Sequence, residues 1–215
     1  MRHGKNYREA LKKYDGSERF ELGDAMAKVK ELAFAKFDET VDLSVKLKLK
    51  KGQTVRDTVV LPHQFRGEKK ILVFCKSDKE KEALDAGAAF VGSDDLIEKV
   101  RGGWLDFDVA VATPDMMKDV GKLGMILGRR GLMPNPKTGT VTFDLKSAID
   151  ELKKGRVEFR VDKTGVVHLA VGKVSMEGDK VKENVKAVLS KIKRKKPADA
   201  KGDYILSVSL SSTMG

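Results

Sequence analysis

The spacing of apolar residues changes twice along the chain, and that double change limits the folds open to it. In Val41-Asp42-Leu43-Ser44-Val45-Lys46-Leu47-Lys48-Leu49-Lys50 every second residue is apolar, the period of a strand buried on one face. Its polar face starts acidic and becomes Lys46, Lys48 and Lys50. Arg56 to Leu61 reads as another strand, ended by Pro62. From about residue 69 the pattern becomes continuous. Ile71–Cys75 is an unbroken apolar run and Asp108–Ala112 a compact one, with a short strand at Ala88–Val91 and helices over 78–86 and 93–101 between them. Strands buried on both faces and alternating with helices imply a parallel sheet in an α/β unit. Pro114 suits the first turn of the next helix, a glycine-rich stretch runs from Gly121 to Gly139, and a helix covers roughly 144–153. After Gly155 the alternation returns in Val157, Phe159 and Val161, and the turn Asp162-Lys163-Thr164-Gly165 leads into Val167–Val171 as a hairpin. A helix over 179–194 carries Val181, Val185, Val188, Leu189 and Ile192 on one face. The last strand, Tyr204–Ser212, sets Tyr204, Leu206, Val208 and Leu210 against Ser207, Ser209, Ser211 and Thr213. Near the start, 5–14 and 21–34 read as helices, the second with Ala25, Val29 and Leu32 at helical spacing behind Asp24.

Two patterns in the order A-B-A describe a discontinuous domain with a second domain inserted into it. The expected fold is an α+β discontinuous domain, an antiparallel sheet packed with helices, made of 1–64 and 155–215. The insert, 65–154, is an α/β unit. Junctions fall near Pro62–Glu68 and Lys153–Gly155. Charge follows the same division. The chain has 215 residues, 43 Lys plus Arg and 32 Asp plus Glu, for a net +11. Residues 1–61 are net +4, 62–152 net −1 and 153–215 net +8, so the outer segments hold the whole excess. A basic surface of this size attracts polyanions, nucleic acid above all. The low-complexity run Lys191-Ile192-Lys193-Arg194-Lys195-Lys196 adds long-range attraction, since charge runs are usually solvated.

Covalent chemistry finds little footing. The pairs Gly4-Lys5, Gly121-Lys122 and Gly172-Lys173 are followed by Asn6, Leu123 and Val174, so no P-loop is present. Ile71–Cys75 leads into Lys76-Ser77-Asp78 without dinucleotide-binding glycines. His3, His63 and His168 lie far apart beside the single Cys75, and no local zinc set can be assembled. No Gly-x-Ser-x-Gly elbow occurs. Cys75 reads as a buried strand residue in a reducing compartment. No cofactor and no membrane partner are expected: no apolar run approaches the ~20 residues a membrane helix needs, and basic Met1-Arg2-His3-Gly4-Lys5 is not followed by a signal core. The location expected is cytoplasmic. An enzyme built from distant residues stays open as a rival, as does a nonspecific polyanion binder.

Three surfaces suit RNA. Ala35-Lys36-Phe37-Asp38-Glu39-Thr40 joins a helix to a strand and sets a cation beside an aromatic, fit for a phosphate contact next to base or sugar packing; a single Phe is more often a core residue. Asp162–Gly165, with His168, Gly172, Lys173 and Ser175, forms a tip of hydroxyls and cations suited to a minor groove; the alternative is an ordinary hairpin turn. The hydroxyl row ending in Ser212-Thr213-Met214-Gly215 is the third, or else a solvated strand face. In the glycine-rich stretch Arg129, Arg130 and Lys137 are exposed candidates for a secondary phosphate contact.

Six motifs occur in one order: Ala35-Lys36-Phe37-Asp38-Glu39-Thr40, Asp106-Phe107-Asp108, Ala112-Thr113-Pro114-Asp115, Gly131-Leu132-Met133-Pro134-Asn135-Pro136-Lys137-Thr138-Gly139-Thr140, Asp162-Lys163-Thr164-Gly165 and Ser212-Thr213-Met214-Gly215. Over nearly its whole length the chain resembles the bacterial-type L-one family of large-subunit ribosomal proteins, the mobile stalk beside the tRNA exit site. The resemblance implies a Rossmann-like, three-layer insert and no enzymatic activity. It further implies that the discontinuous domain grips large-subunit rRNA, that the stalk helps deacylated exit-site tRNA leave among other ribosomal components, and that the free protein represses its own mRNA. Carried over by motif, Lys36, Phe37, Thr40, Lys163, Thr164, Gly165, His168, Gly172, Lys173, Ser175, Ser207, Ser211, Thr213, Met214 and Gly215 are the expected RNA contacts. Arg129, Arg130 and Lys137 are the secondary RNA or tRNA contacts. Where the family reads Gly-Pro-Arg-Gly-Leu, this chain has Gly128-Arg129-Arg130-Gly131-Leu132, which frees the backbone and adds a cation. The family's chains continue briefly past the position of Gly215, which would support the Thr213-Met214-Gly215 turn.

Overall fold

A computed structural model describes residues 4–13, 18–50, 53–67, 69–197 and 202–215. Met1–His3, Tyr14 at the end of the first expected helix and Glu68 at the first expected junction lie outside them. In chain order the elements are α1 (Lys5–Lys13), α2 (Leu22–Leu32), β1 (Thr40–Leu47), β2 (Arg56–Val60), β3 (Ile71–Phe74), α3 (Glu80–Asp85), β4 (Phe90–Gly92), α4 (Asp94–Arg101) and β5 (Val109–Ala112). Then come α5 (Met117–Val120), α6 (Gly124–Arg129), α7 (Leu145–Lys153), β6 (Arg156–Arg160), β7 (Val166–Lys173), α8 (Gly178–Arg194) and β8 (Ile205–Ser212). The architecture is mixed α+β. Two compact units divide it, one made of Met1–Thr54 with Val161–Gly215, the other of Val55–Arg160.

In the first unit β1 lies between β7 and β8, antiparallel to both. The period of two does its expected work: Val41, Leu43, Val45 and Leu47 are buried, as are Val167, Leu169 and Val171 of β7. Helices α2 and α8 pack on the strands and on each other. Helix α8 inserts Val181, Val185, Val188 and Ile192, residues three or four apart that share one face. Asp179 in its first turn and Lys191, Lys193 and Arg194 in its last suit the helix dipole. Asn184 stands on that buried face, and its side-chain amide donates to the carbonyl of Val171 (2.8 Å). Gly172 is needed beside it, because a Cβ there would sit 2.8 Å from Val181 Cγ2.

The second unit carries a three-stranded parallel sheet, β4-β3-β5. All four residues of β3 are buried, which explains the continuous apolar run. Leu72 and Phe74 pack with Leu96, Val100, Met116 and Leu127; Ile71 and Val73 pack with Ala83, Leu145, Ile149 and Leu152. Opposite faces of one strand thus meet separate helix layers. Pro114 opens a 3-10 turn, Pro114–Met116, ahead of α5.

Two expectations need correction. Residues 157–171 do not form one continuous hairpin: β6 pairs with β2, β7 pairs with β1, and a single bridge, Val161↔Val167, joins the arms beside the Asp162–Gly165 turn. Alternation reports that a strand has one buried face; it does not report which strand lies beside it. The apolar side of β8 is also less covered than its spacing suggests, with Leu206 and Val208 exposed. A register shift between Lys46 and Leu47 sets Leu47 opposite Ile205, and among the described residues β8 is an edge strand with a neighbour on one side only.

Candidate nucleic-acid interface

The polar face of the first unit's sheet is built by register. Ser44 lies between His168 and Ser209, Asp42 between Ala170 and Ser211, and Lys46 between Val166 and Ser207. Because Leu43 and Val45 point into the core, these residues point away from it. His168 is exposed, and its Nδ1 lies 3.0 Å from Ser44 Oγ. Lys46, Ser207, Ser209 and Ser211 are exposed as well. A row of hydroxyls with an imidazole and an ammonium on a rigid sheet offers donors and acceptors to phosphates and 2′-OH groups.

Above the end of β1, residues 33–39 meet the 212–215 turn. Phe34, Phe37 and Met214 are 53%, 56% and 57% exposed, so Phe37 does not cap the core. Lys36 is exposed next to it. Beneath them Glu39 is buried, at 1% exposure. Its Oε1 accepts from the Ala35 N–H (3.0 Å) and its Oε2 from the Met214 N–H (2.9 Å). Burial works to raise this carboxyl's pKa, but the hydrogen bonds from the Met214 and Ala35 N–H groups outweigh it and hold the value below the ordinary one. Thr213 Oγ1 accepts from the Thr40 N–H (2.9 Å) and donates to the Thr40 carbonyl (3.2 Å). Asp38 ties in a third segment: its carboxylate accepts from the Ser175 N–H (3.1 Å) and hydroxyl (2.9 Å), and its carbonyl accepts from Lys173 Nζ (3.1 Å).

The Asp162–Gly165 turn is built by the Asp162 carboxylate. Oδ1 accepts from the Thr164 and Val166 N–H groups (both 2.8 Å), and Oδ2 from the Thr164 hydroxyl (2.7 Å). The Val166 amide first, then the Thr164 hydroxyl, keep this carboxyl below its usual range, with His168 adding a smaller pull. Gly165 has φ +84°, and a Cβ would meet the Leu47 carbonyl oxygen at 3.1 Å. The turn leaves Lys163 and Thr164 exposed.

The first unit therefore holds Lys36, Phe37, Thr40, Lys163, Thr164, Gly165, His168, Gly172, Lys173, Ser175, Ser207, Ser211, Thr213, Met214 and Gly215. Their surroundings differ. Gly172 is buried against α8, while Thr213, Lys173 and Ser175 hold other segments in place. Arg129, Arg130 and Lys137 are exposed and belong to the second unit. There α6 ends at Arg129, and Gly131, at φ +70°, stops the helix as the Leu132 N–H donates to the Leu127 carbonyl (2.9 Å). Nothing in the local spacing around Glu39 marks its carboxylate as buried. Its place just ahead of β1, between two exposed aromatics and the strand, was the available signal.

Charge separates the units. The first has 24 basic and 15 acidic residues, net +9; the second has 19 and 17, net +2. A cleft of about 570 Å³ in the second unit mixes Arg66, Lys69 and Arg156 with Asp108 and Glu158. Burial, with Glu80 nearby, pushes the Cys75 thiol up to about 11, so it is no nucleophile at neutral pH. Among the described residues no three His, Cys, Asp or Glu side chains gather in a metal-binding group, and no helix is long and apolar enough to cross a membrane.

Comparison with known proteins matches residues 29–215 to the Ribosomal protein L1p/L10e family. The chain is 73% identical over 215 residues to the large ribosomal subunit protein uL1 of Treponema denticola, covering 100% of this chain and 95% of that one. It is 63% identical to the uL1 of Treponema pallidum subsp. pallidum, with 100% and 95% covered. To the uL1 of Borrelia hermsii it is 58% identical over 212 residues, with 99% and 95% covered.

Proposed function

The chain belongs to the Ribosomal protein L1p/L10e family, and from that membership we propose that its basic, discontinuous unit grips large-subunit rRNA to form the mobile stalk beside the tRNA exit site. It is a structural constituent of the large ribosomal subunit, not an enzyme, and it works on the cytoplasmic ribosome. The observation that carries the RNA reading is the corner where exposed Phe37, Met214 and Lys36 sit beside the hydroxyl face of the sheet, on the unit with net +9. Exposed aromatic and thioether groups next to cations suit unstacked bases and sugars, with phosphates neutralised around them.

The contacts assigned to rRNA are those carried over by motif, from Lys36 to Gly215. Gly172, being buried, acts by shape, and Lys173, Ser175 and Thr213 act in part by holding the surface. We assign the discontinuous α+β domain to 1–64 and 155–215, of which the compact unit Met1–Thr54 with Val161–Gly215 is the greater part, and a Rossmann-like, three-layer insert to 65–154. The parallel sheet, helices on both of its faces and the A-B-A hydrophobic pattern support that division. The insert, with Arg129, Arg130 and Lys137, meets exit-site tRNA and assists its release. The free protein represses its own mRNA when that mRNA presents the same RNA shape. The family resemblance supports these last two roles.

The test is co-sedimentation with large ribosomal subunits, followed by nuclease mapping of the rRNA segment the protein protects. One discrete protected segment is expected. Salt then separates specific from general attraction, since all phosphate binding weakens as salt rises. The protected segment is expected to outcompete random duplex of equal length at high salt. Equal competition would reduce the protein to a nonspecific polyanion binder.

A further inference from the structure

We infer that Glu39 is a positioning residue of the RNA grip: a buried carboxylate that never meets RNA but joins the 34–40 segment to the C-terminal turn so that Phe37 and Met214 stand together. The inference rests on the rRNA-binding reading above and adds a residue to it. A buried carboxylate is costly unless its oxygens accept hydrogen bonds. Glu39, at 1% exposure, gives one oxygen to the Ala35 N–H (3.0 Å) and the other to the Met214 N–H (2.9 Å). These two donors come from segments at opposite ends of the unit's sequence. A carboxylate is the one side-chain group of this size that offers acceptors alone at both ends. Glutamine at the same place would turn an NH2 toward one of the two backbone N–H groups.

What the link holds is an apolar cluster in water. Phe34, Phe37 and Met214 are all more than half exposed and gain little from the core, so their placement depends on the backbones beneath them. The Thr40–Thr213 pair is a second stitch between the same two segments, and the Asp38–Ser175 pair ties down a third. Glu39 is the buried member of this set. Preorganisation of this kind raises affinity by lowering the ordering cost at binding.

The inference makes a prediction whose sign opposes simple electrostatics. Removing a negative charge from a surface that binds a polyanion should tighten binding. Glu39→Gln is instead expected to bind the large-subunit rRNA fragment protected by the wild-type protein at least about tenfold more weakly. Asp24→Asn removes the same charge from helix α2 of the same unit, outside the polar face of the sheet, and is expected to bind at least as tightly as wild type. The salt slope of Glu39→Gln should match wild type, because no phosphate contact is lost. Amide exchange should quicken at Ala35 and Met214 while the core amides of β1 keep their protection. In a double-mutant cycle, Glu39→Gln with Met214→Ala should lose less than the sum of the single losses. Wild-type or tighter binding by Glu39→Gln, or fully additive losses, would overturn the inference. Should Glu39→Gln fail to fold, Glu39→Asp keeps the charge but is too short to reach both amides, and it is expected to show the same loss; wild-type affinity there is equally fatal. If the wild-type protein does not prefer its rRNA fragment to random duplex, the RNA reading falls and this inference with it. A wild-type preference that Glu39→Gln fully retains overturns this inference alone.

Discussion

Phe37 and Met214 expose more than half of their surface, so their removal tests binding almost free of folding. Phe37→Ala and Met214→Ala should each shift the thermal unfolding free energy by no more than about 0.5 kcal/mol, as exposed positions do. Each should weaken rRNA binding, Phe37→Ala by about 1–3 kcal/mol if a base or sugar stacks on it. Calorimetry and a filter-binding titration check the two halves, and wild-type affinity in both variants contradicts the site. Glu39 gives a pH signature. Its folded pKa lies below its ordinary value, so the carboxylate contributes stability that is complete above the unfolded pKa of about 4.3 and is lost as pH falls through the lower folded value. Denaturation midpoints measured from pH 6 downward should therefore fall less steeply for Glu39→Gln than for wild type. Parallel curves would mean that the buried carboxylate is not held by Ala35 and Met214.

At the scale of elements, the packing of α8 on β7 turns on Gly172, where a Cβ would come within 2.8 Å of Val181 Cγ2 and 3.5 Å of Met176 Sδ. Gly172→Ala should destabilise the protein by about 1–3 kcal/mol through overpacking, read as a lower urea midpoint at unchanged slope. An unchanged midpoint would show that α8 can shift without cost. Elements are also where sequence reading was strongest and where its limit shows. The alternation in Val41–Leu47 and the continuous run Ile71–Phe74 each state how many faces of a strand are buried, and the structure has those faces buried. Neither pattern contains the identity of the neighbouring strand. The arms after Gly155 were therefore expected to pair with each other, although β6 pairs with β2 and β7 with β1. Lys36, Phe37 and Met214 were marked as candidate site residues by the family motifs that carry them, and the structure leaves all three exposed. Glu39 was not so marked, because its role comes from an N–H donor 175 residues away, and pairing across that distance leaves no trace in local spacing.

Across the whole molecule, charge and architecture point to one unit. The compact unit formed by both ends of the chain is net +9 against net +2 for the other. It also holds every primary contact carried over from the family motifs. The central claim is that this unit makes the rRNA grip while the second unit is left free for another partner. Amide hydrogen exchange of the protein bound to its protected rRNA fragment, compared with the free protein, tests this most directly. The account predicts new protection at Phe34–Thr40, at Asp162–Ser175 and at Ser207–Gly215, with Gly121–Gly139 exchanging as before. Protection concentrated in Gly121–Gly139, with the first unit unchanged, would contradict it.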